Sequence, residues 1–238
     1  MGTYLGALDQ GTTSTRFIIF DKNGAIKAIS QMEHDQILPR PGWVEHDGEQ
    51  IWANARTVIK GALDKAGITG DDLAAIGITN QRETVVAWDK TTGEPLYNAI
   101  VWQCTRTDKL CRQLDAAHGK DSFRPVTGLP TATYFSGPKI KWMIDNVPAV
   151  KQAVDDGTAC FGTMDTWMIW NLTGGPGKGN YVTDVTNASR TLLMDLSTLA
   201  WDPSILATLG IPEACLPKIV PSSHATAFGV TLADGPVG

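Results

Sequence analysis

The sequence predicts a mixed α/β fold in which helices cross between the strands of a sheet, and three observations carry that expectation. The chain opens with three strand-like runs in close succession, a long helix with an apolar stripe follows, and short apolar strands then alternate with helical stretches. A meander followed by alternation argues against a helical bundle and against a sandwich, since neither interleaves periods of 2 and 3.6 in that order.

Taken in order, Tyr4–Asp9, Ser14–Asp21 and Ala25–His34 read as a β-meander, with Asn23-Gly24 as a hairpin turn signal. Beyond Pro39, Pro41 and Gly42, Asp47 stands as an N-cap with Gln50 three residues on, the spacing of a capping box. Ile51, Ala55, Val58, Ile59, Ala62, Leu63 and Ala66 then form one apolar face, so this helix is expected to pack on the sheet. Ala74–Thr79 suits a buried strand, Thr84–Trp88 forms a second after the polar corner Asn80-Gln81-Arg82-Glu83, and Ala99–Trp102 forms a third. Helices are predicted from about Thr105 to Ala117 and, opened by Pro138, to about Asn146. From Cys160 the pattern breaks up into a helical Asp165–Leu172, a glycine-rich loop at 174–179, one or two short helices between Leu192 and Gly210, and a turn-rich stretch from Phe228 to Gly238. Residues 1–160 are therefore expected to hold the core sheet and helices, and residues 161–238 a more irregular helical and loop portion.

Composition narrows the class of function. Of 238 residues, 42% are hydrophobic and 19% charged, which allows a large core without cross-links. No apolar run reaches the roughly 18 residues of a membrane helix. The opening Met1–Gly6 lacks the charged flank of a signal peptide, so a cytoplasmic chain with no membrane partner is expected. The formal net charge of −5 is spread without a basic block, which argues against nucleic acid and for a small-molecule partner. Cys104, Cys111, Cys160 and Cys215 form no Cys-x-x-Cys pair and the four histidines lie far apart, so neither a structural zinc nor a disulfide framework is expected. Gly177-Lys178 imitates a P-loop, but Leu172 stands where its first glycine belongs and Gly179 where Ser or Thr is required.

The richest segment is Leu8-Asp-Gln-Gly-Thr-Thr-Ser-Thr-Arg16, where a carboxylate closes a strand, a glycine opens a turn and three hydroxyl residues follow. Gly11 lets the backbone approach a ligand, amides and the hydroxyls of Thr12, Thr13 and Ser14 can surround phosphate oxygens, and Arg16 adds charge. Asp9 is placed to hold Mg²⁺ directly or through water. A plain hairpin turn is the competing reading of the same residues. Second, Arg82 and Glu83 sit side by side at a strand end, where charges must be paired or bind something. Donors from Arg82 and acceptors from Glu83 suit the hydroxyls of a polyol, and a structural ion pair is the alternative. Trp102 offers an indole face for the carbons of a small sugar or polyol, or for a core.

These segments resemble the FGGY family of carbohydrate kinases, which phosphorylates polyols and ketoses within the actin and hexokinase superfamily. The resemblance covers nearly the whole chain, through Ala7–Arg16, Gly42–Asp47, Ile76–Thr84, Asn98–Gln103, Tyr134–Trp142, Gly162–Trp167 and Thr183–Arg190. The Gln81-Arg82-Glu83 and Asp184–Arg190 segments are similar to the glycerol branch in particular. The resemblance implies an actin-like, ribonuclease-H-like domain with a mixed five-stranded sheet flanked by helices. It implies that ATP and glycerol give ADP and sn-glycerol 3-phosphate with Mg²⁺ as cofactor. Arg82, Glu83 and Tyr134 would hydrogen-bond glycerol, Trp102 would pack on its carbons, Thr12, Thr13, Ser14 and Arg16 would approach the nucleotide phosphates, and Asp9 would serve the metal. The family's second kinase domain and its general-base Asp are expected beyond Gly238, so the chain is expected to be the N-terminal half of a homo-oligomeric enzyme and to show little or no turnover alone. A ketose or gluconate kinase, or a non-catalytic nucleotide-binding module of the actin superfamily, stand as alternatives.

Overall fold

A computed structural model of the chain describes residues 2–232 and 235–237. The meander forms from β1 (Tyr4–Gln10), β2 (Ser14–Phe20) and β3 (Ile26–Glu33), with Leu8 opposite Phe17 and Ile18 opposite Ile29. Asp21 organises its second corner by accepting from the amides of Asn23 and Ala25, and Gly24 takes φ 79°, a conformation that favours glycine.

β4 (Glu45–His46) leads into α1 (Gly48–Ala66). The Asp47 carboxylate accepts from the amides of Glu49 and Gln50, and Gly67 ends the helix in the left-handed region. The capping box is not completed. Gln50 instead turns to Asp35, donating to its carboxylate and accepting from its amide, because that loop residue offers both a donor and an acceptor. The stripe from Ile51 to Leu63 is buried against Leu8, Phe17, Ile19 and Ala28.

β5 (Leu73–Asn80) runs parallel to β1, so the first sheet is mixed, with the order β3-β2-β1-β5. The expectation of a buried strand here is corrected: Ala75, Gly77 and Thr79 are exposed, since among the described residues β5 is flanked by β1 alone. The chain then leaves this sheet at Glu83, whose φ of 64° turns it away. β6 (Val85–Asp89) pairs antiparallel with β7 (Pro95–Ile100) on one side and with β8 (Ala159–Thr163) on the other, while β4 joins β7. The single five-stranded sheet is thus replaced, among the described residues, by two four-stranded sheets, the second with the order β4-β7-β6-β8.

Between β7 and β8 lie α2 (Asp108–His118), α3 (Arg124–Thr127), α4 (Ser136–Asn146) and α5 (Pro148–Asp155). After β8 come α6 (Met164–Leu172), β9 (Val182–Asp184), α7 (Val185–Ala188), the hairpin of β10 (Met194–Asp195) with β11 (Ala200–Trp201), α8 (Pro203–Leu209) and β12 (Lys218–Val220), which runs parallel to β9. The span from Leu192 to Gly210 therefore holds a hairpin and one helix. In the turn-rich stretch that closes the sequence, Ala233, Asp234 and Gly238 lie outside the described residues.

Two cores result. Beneath α1, Trp88 packs with Trp167 and Trp170; beneath the second sheet, Phe161 packs with Ile140, Met143 and Leu192. Residues beyond 160 enter both cores. No helix among the described residues is long and apolar enough to cross a membrane.

Candidate active site

The turn between β1 and β2 is closed by the Gly11 amide donating to Ser14 O at 2.9 Å. Only glycine fits easily, since a Cβ on Gly11 would lie 3.1 Å from that same oxygen. Thr12 is half-buried, Thr13 exposed and Ser14 half-buried, with Gln31 Nε2 donating to Ser14 Oγ. Asp9 and Arg16 face each other across the two strands at 3.8 Å, both about two-fifths exposed. That separation is at the outer limit of an ion pair, and the exposed part of the Arg16 guanidinium keeps donors for an anion.

A polar relay joins this turn to the second sheet. The amide of Gln81 donates to Gln10 O at 2.7 Å, its side-chain Nε2 lies within reach of Gly11 O, Gln10 Oε1 and His46 Nδ1, and its Oε1 accepts from Thr84 Oγ1. Thr84 Oγ1 in turn accepts from the amide of Trp102. Trp102 closes the circuit by donating its indole N–H to Thr12 Oγ1 at 3.1 Å. On the far side Gln36 Nε2 donates to Thr12 O, so its Oε1 is the acceptor facing His46 Nε2. That assigns His46 as the Nε2–H tautomer, and burial, with His34 alongside, pushes it down to about 3.

Arg82 and Glu83 part company. Arg82 is exposed and makes no side-chain hydrogen bond among the described residues. The Glu83 side chain is 2% exposed, and its Oε1 lies 2.5 Å from Arg190 Nε. An ion pair therefore forms here, but with a residue 107 positions away in sequence rather than with the neighbouring arginine. A glutamate at φ 64° costs roughly 1–3 kcal/mol. The conformation is held from both sides, by Thr84 N donating to Arg82 O and Ser136 Oγ donating to Glu83 O. Trp102 and Tyr134 meet edge to face with ring centroids 5.4 Å apart, and the Arg190 guanidinium lies over Tyr134 and Phe135. The sequence does not single out Arg190 as a functional group, because no local spacing connects it to a residue 107 positions earlier.

Beside Arg82 a cavity of about 300 Å³ opens along the edge of β5, lined also by Asn80, Asp165, Asp184, Asn187 and Phe228. Asn80 and Asn187 join across it by their amides at 2.9 Å. Burial pushes the Asp165 carboxyl up to about 6 against the opposing pull of the Thr163 and Thr183 hydroxyls. Burial also raises Asp184, but donors from Ser222, Thr186 and Asn187 outweigh it and hold that group below the usual range.

Comparison with known proteins gives this arrangement its context. The model of the FGGY family of carbohydrate kinases, N-terminal domain, matches residues 4–232. The glycerol kinase of Azorhizobium caulinodans is 59% identical over 235 residues, covering 99% of this chain and 47% of that protein. The crystal structure of Plasmodium falciparum glycerol kinase with ADP superposes with a TM-score of 0.87 at 40% identity, covering 98% of this chain and 46% of that one. A gluconate kinase structure from Lactobacillus acidophilus superposes with a TM-score of 0.79 at 26% identity, covering 91% of this chain and 42% of that one. The chain thus spans about half the length of the curated relatives it matches. Its fold is that of these kinases, actin-like and ribonuclease-H-like. On the family match and on identity along almost its entire length, the chain belongs to the FGGY family of carbohydrate kinases.

Proposed function

We propose that this chain supplies the polyol-binding wall and the phosphate turn of a glycerol kinase, which moves the γ-phosphoryl group of ATP to glycerol and yields ADP and sn-glycerol 3-phosphate. The observation that carries the reading is the contact of Trp102 Nε1 with Thr12 Oγ1, which sets a hydroxyl-rich turn fit for phosphate beside an aromatic and charged wall fit for a polyol. Identity favours glycerol over a ketose or gluconate, at 59% to a glycerol kinase against 26% to a gluconate kinase.

In this reading Arg82 donates to the glycerol hydroxyls from an exposed position, and Glu83 accepts through the oxygen that Arg190 does not hold. Trp102 covers the carbons and Tyr134 completes the wall. Thr12, Thr13, Ser14 and Arg16 take the nucleotide phosphates, and their catalytic contribution is positioning and charge stabilisation. Among the described residues no group of three or more His, Cys, Asp or Glu side chains could hold a metal. A lone, partly exposed carboxylate such as Asp9 suits Mg²⁺, which keeps most of its waters and shares phosphate oxygens. Held by Asp9, the ion would neutralise charge on those oxygens. The chain spans about half the length of its curated relatives, and in this reading the general base and the rest of the nucleotide site belong to the part of those kinases that it does not match. Residues 1–160 and 161–238 form one N-terminal kinase domain whose cores draw on both portions, and it works in a cytoplasmic homo-oligomer.

Titration calorimetry of the chain with glycerol, xylulose, ribulose and gluconate, alongside phosphotransfer from MgATP read by mass spectrometry, tests this. Glycerol alone should bind, R82A and W102A should each abolish binding, and turnover should be negligible. Preference for another substrate, or undiminished binding by R82A, refutes the reading.

A further inference from the structure

Lys139 lies in the first turn of α4, is fully buried, and takes no part in the roles assigned above. Its Nζ donates to Thr133 O at 2.5 Å, Tyr134 O at 2.7 Å and Phe135 O at 3.2 Å, which uses all three ammonium hydrogens on three consecutive carbonyls. Successive carbonyls of an extended chain point to opposite sides, so three that converge on one atom hold the backbone in a curl it would not keep unaided. An ammonium is an expensive way to fill this space. Burial and the positive end of a helix both oppose it, and an apolar side chain would avoid that cost while leaving three carbonyls without a donor. No carboxylate compensates it directly, because the nearby Glu83 is taken by Arg190.

We propose that Lys139 is a positioning residue for the polyol wall, whose ammonium ties the carbonyls of residues 133–135 together and so holds the Tyr134 ring against Trp102. The functional half of this inference rests on the reading that Tyr134 and Trp102 face a polyol. The clamp itself does not. The ionisable groups that face the ammonium are Glu83 from the corner before β6, Cys104 and Arg106 from the loop before α2, and Cys111 from α2. Burial pushes the ammonium down to about 7, while the carbonyls favour its charged form. Burial pushes the Cys111 thiol the other way, up to about 11, so it keeps its proton over the working range.

The test is a ¹H–¹⁵N NMR titration of the whole chain from pH 6 to pH 9, together with glycerol binding at pH 7. In the wild type the Tyr134 amide and the Trp102 indole resonances should shift together with one midpoint, and in K139M that transition should vanish. Where glycerol binds the wild type, K139M should weaken it about tenfold, roughly 1.4 kcal/mol. Tyr134 amide and Trp102 indole resonances at pH 7 that are the same in K139M as in the wild type overturn the clamp, as does an identical pH transition in K139M. Should K139M fail to fold, the same comparison is made with K139Q. Unchanged glycerol affinity in K139M overturns the positioning role, whereas a wild type that binds no glycerol refutes the polyol reading and leaves the clamp to the NMR result.

Discussion

Replacing Arg190 with Met isolates the ion pair behind the proposed polyol wall. The Glu83 side chain is 2% exposed and that of Arg190 26%, with Oε1 and Nε 2.5 Å apart. Removing one partner of a buried pair leaves an uncompensated charge, at a cost of roughly 3–5 kcal/mol. Since water already reaches part of Arg190, the lower end of about 3 kcal/mol applies. The guanidinium also lies 5.0 Å from the Phe135 ring centroid and 5.6 Å from that of Tyr134, and losing those contacts adds about 1 kcal/mol. R190M should therefore lose about 4 kcal/mol by these sums. E83Q keeps the shape and leaves a partly solvated arginine, so its loss should be only about 1–2 kcal/mol. In E83Q/R190M no charge is left buried, and the double loss should fall short of the sum of the singles by about 2 kcal/mol. Urea unfolding of the four chains, with the slope checked for constancy, measures each value. Additive single losses, or a loss in R190M below about 1 kcal/mol, would show that the pair is not what keeps Glu83 in the interior.

Two further outcomes follow from the site. Gln81→Met strips the relay of its donor to Gly11 O and its acceptor for Thr84; leaving those groups unmatched should cost about 1–3 kcal/mol by urea unfolding and shift the Trp102 indole resonance, and an unmoved indole would refute the coupling. Asp165 is raised from 3.8 to about 6, so between those values the folded chain keeps a proton that the unfolded chain has lost. Stability from this group is thus greatest below about pH 4 and falls as pH rises to about 6, by on the order of 3 kcal/mol. Subtracting the D165N stability curve from that of the wild type should show this fall, and a difference that stays flat over the window would contradict it.

Local signals made much of the first sheet legible. Strand alternation, Asn23-Gly24 and the Asp47 cap are all written in neighbouring residues, and each became the element expected. Where non-local packing decides, the sequence is silent. β8 is five residues long and buried throughout, so it shows no alternation that would mark it as a strand. The departure of β6 into a separate sheet depends on a positive φ at Glu83, which no propensity favours for that residue type. The same holds within the site. The hydroxyl turn and the Arg82-Glu83 corner stand out as short patterns, whereas the Glu83–Arg190 pair spans 107 positions. Lys139 and Lys141 look alike in sequence as helix lysines, yet Lys141 pairs with Asp145 near the surface while Lys139 is sealed beneath three carbonyls.

The relay also bears on how the proposed phosphate turn and the proposed polyol wall are ordered within one chain. Phosphoryl transfer needs donor and acceptor held in line to within fractions of an ångström, and small errors are costly in rate. Here the proposed phosphate turn belongs to the first sheet, while Trp102 follows β7 in the second. Two sheets joined only by apolar packing would slide against each other at little cost, since dispersion contacts are weakly directional. Gln81 removes that freedom. Its backbone is bonded to β1, its side chain holds both Gly11 O and Thr84, and Thr84 holds the Trp102 amide while the Trp102 indole returns to Thr12. The members are partly or fully buried, so water competes poorly for them and the loop of bonds is stiffer than its separate pairs would be. A displacement of the turn must then carry Trp102 with it, so the relative placement of the two is a property of this chain's own hydrogen bonds.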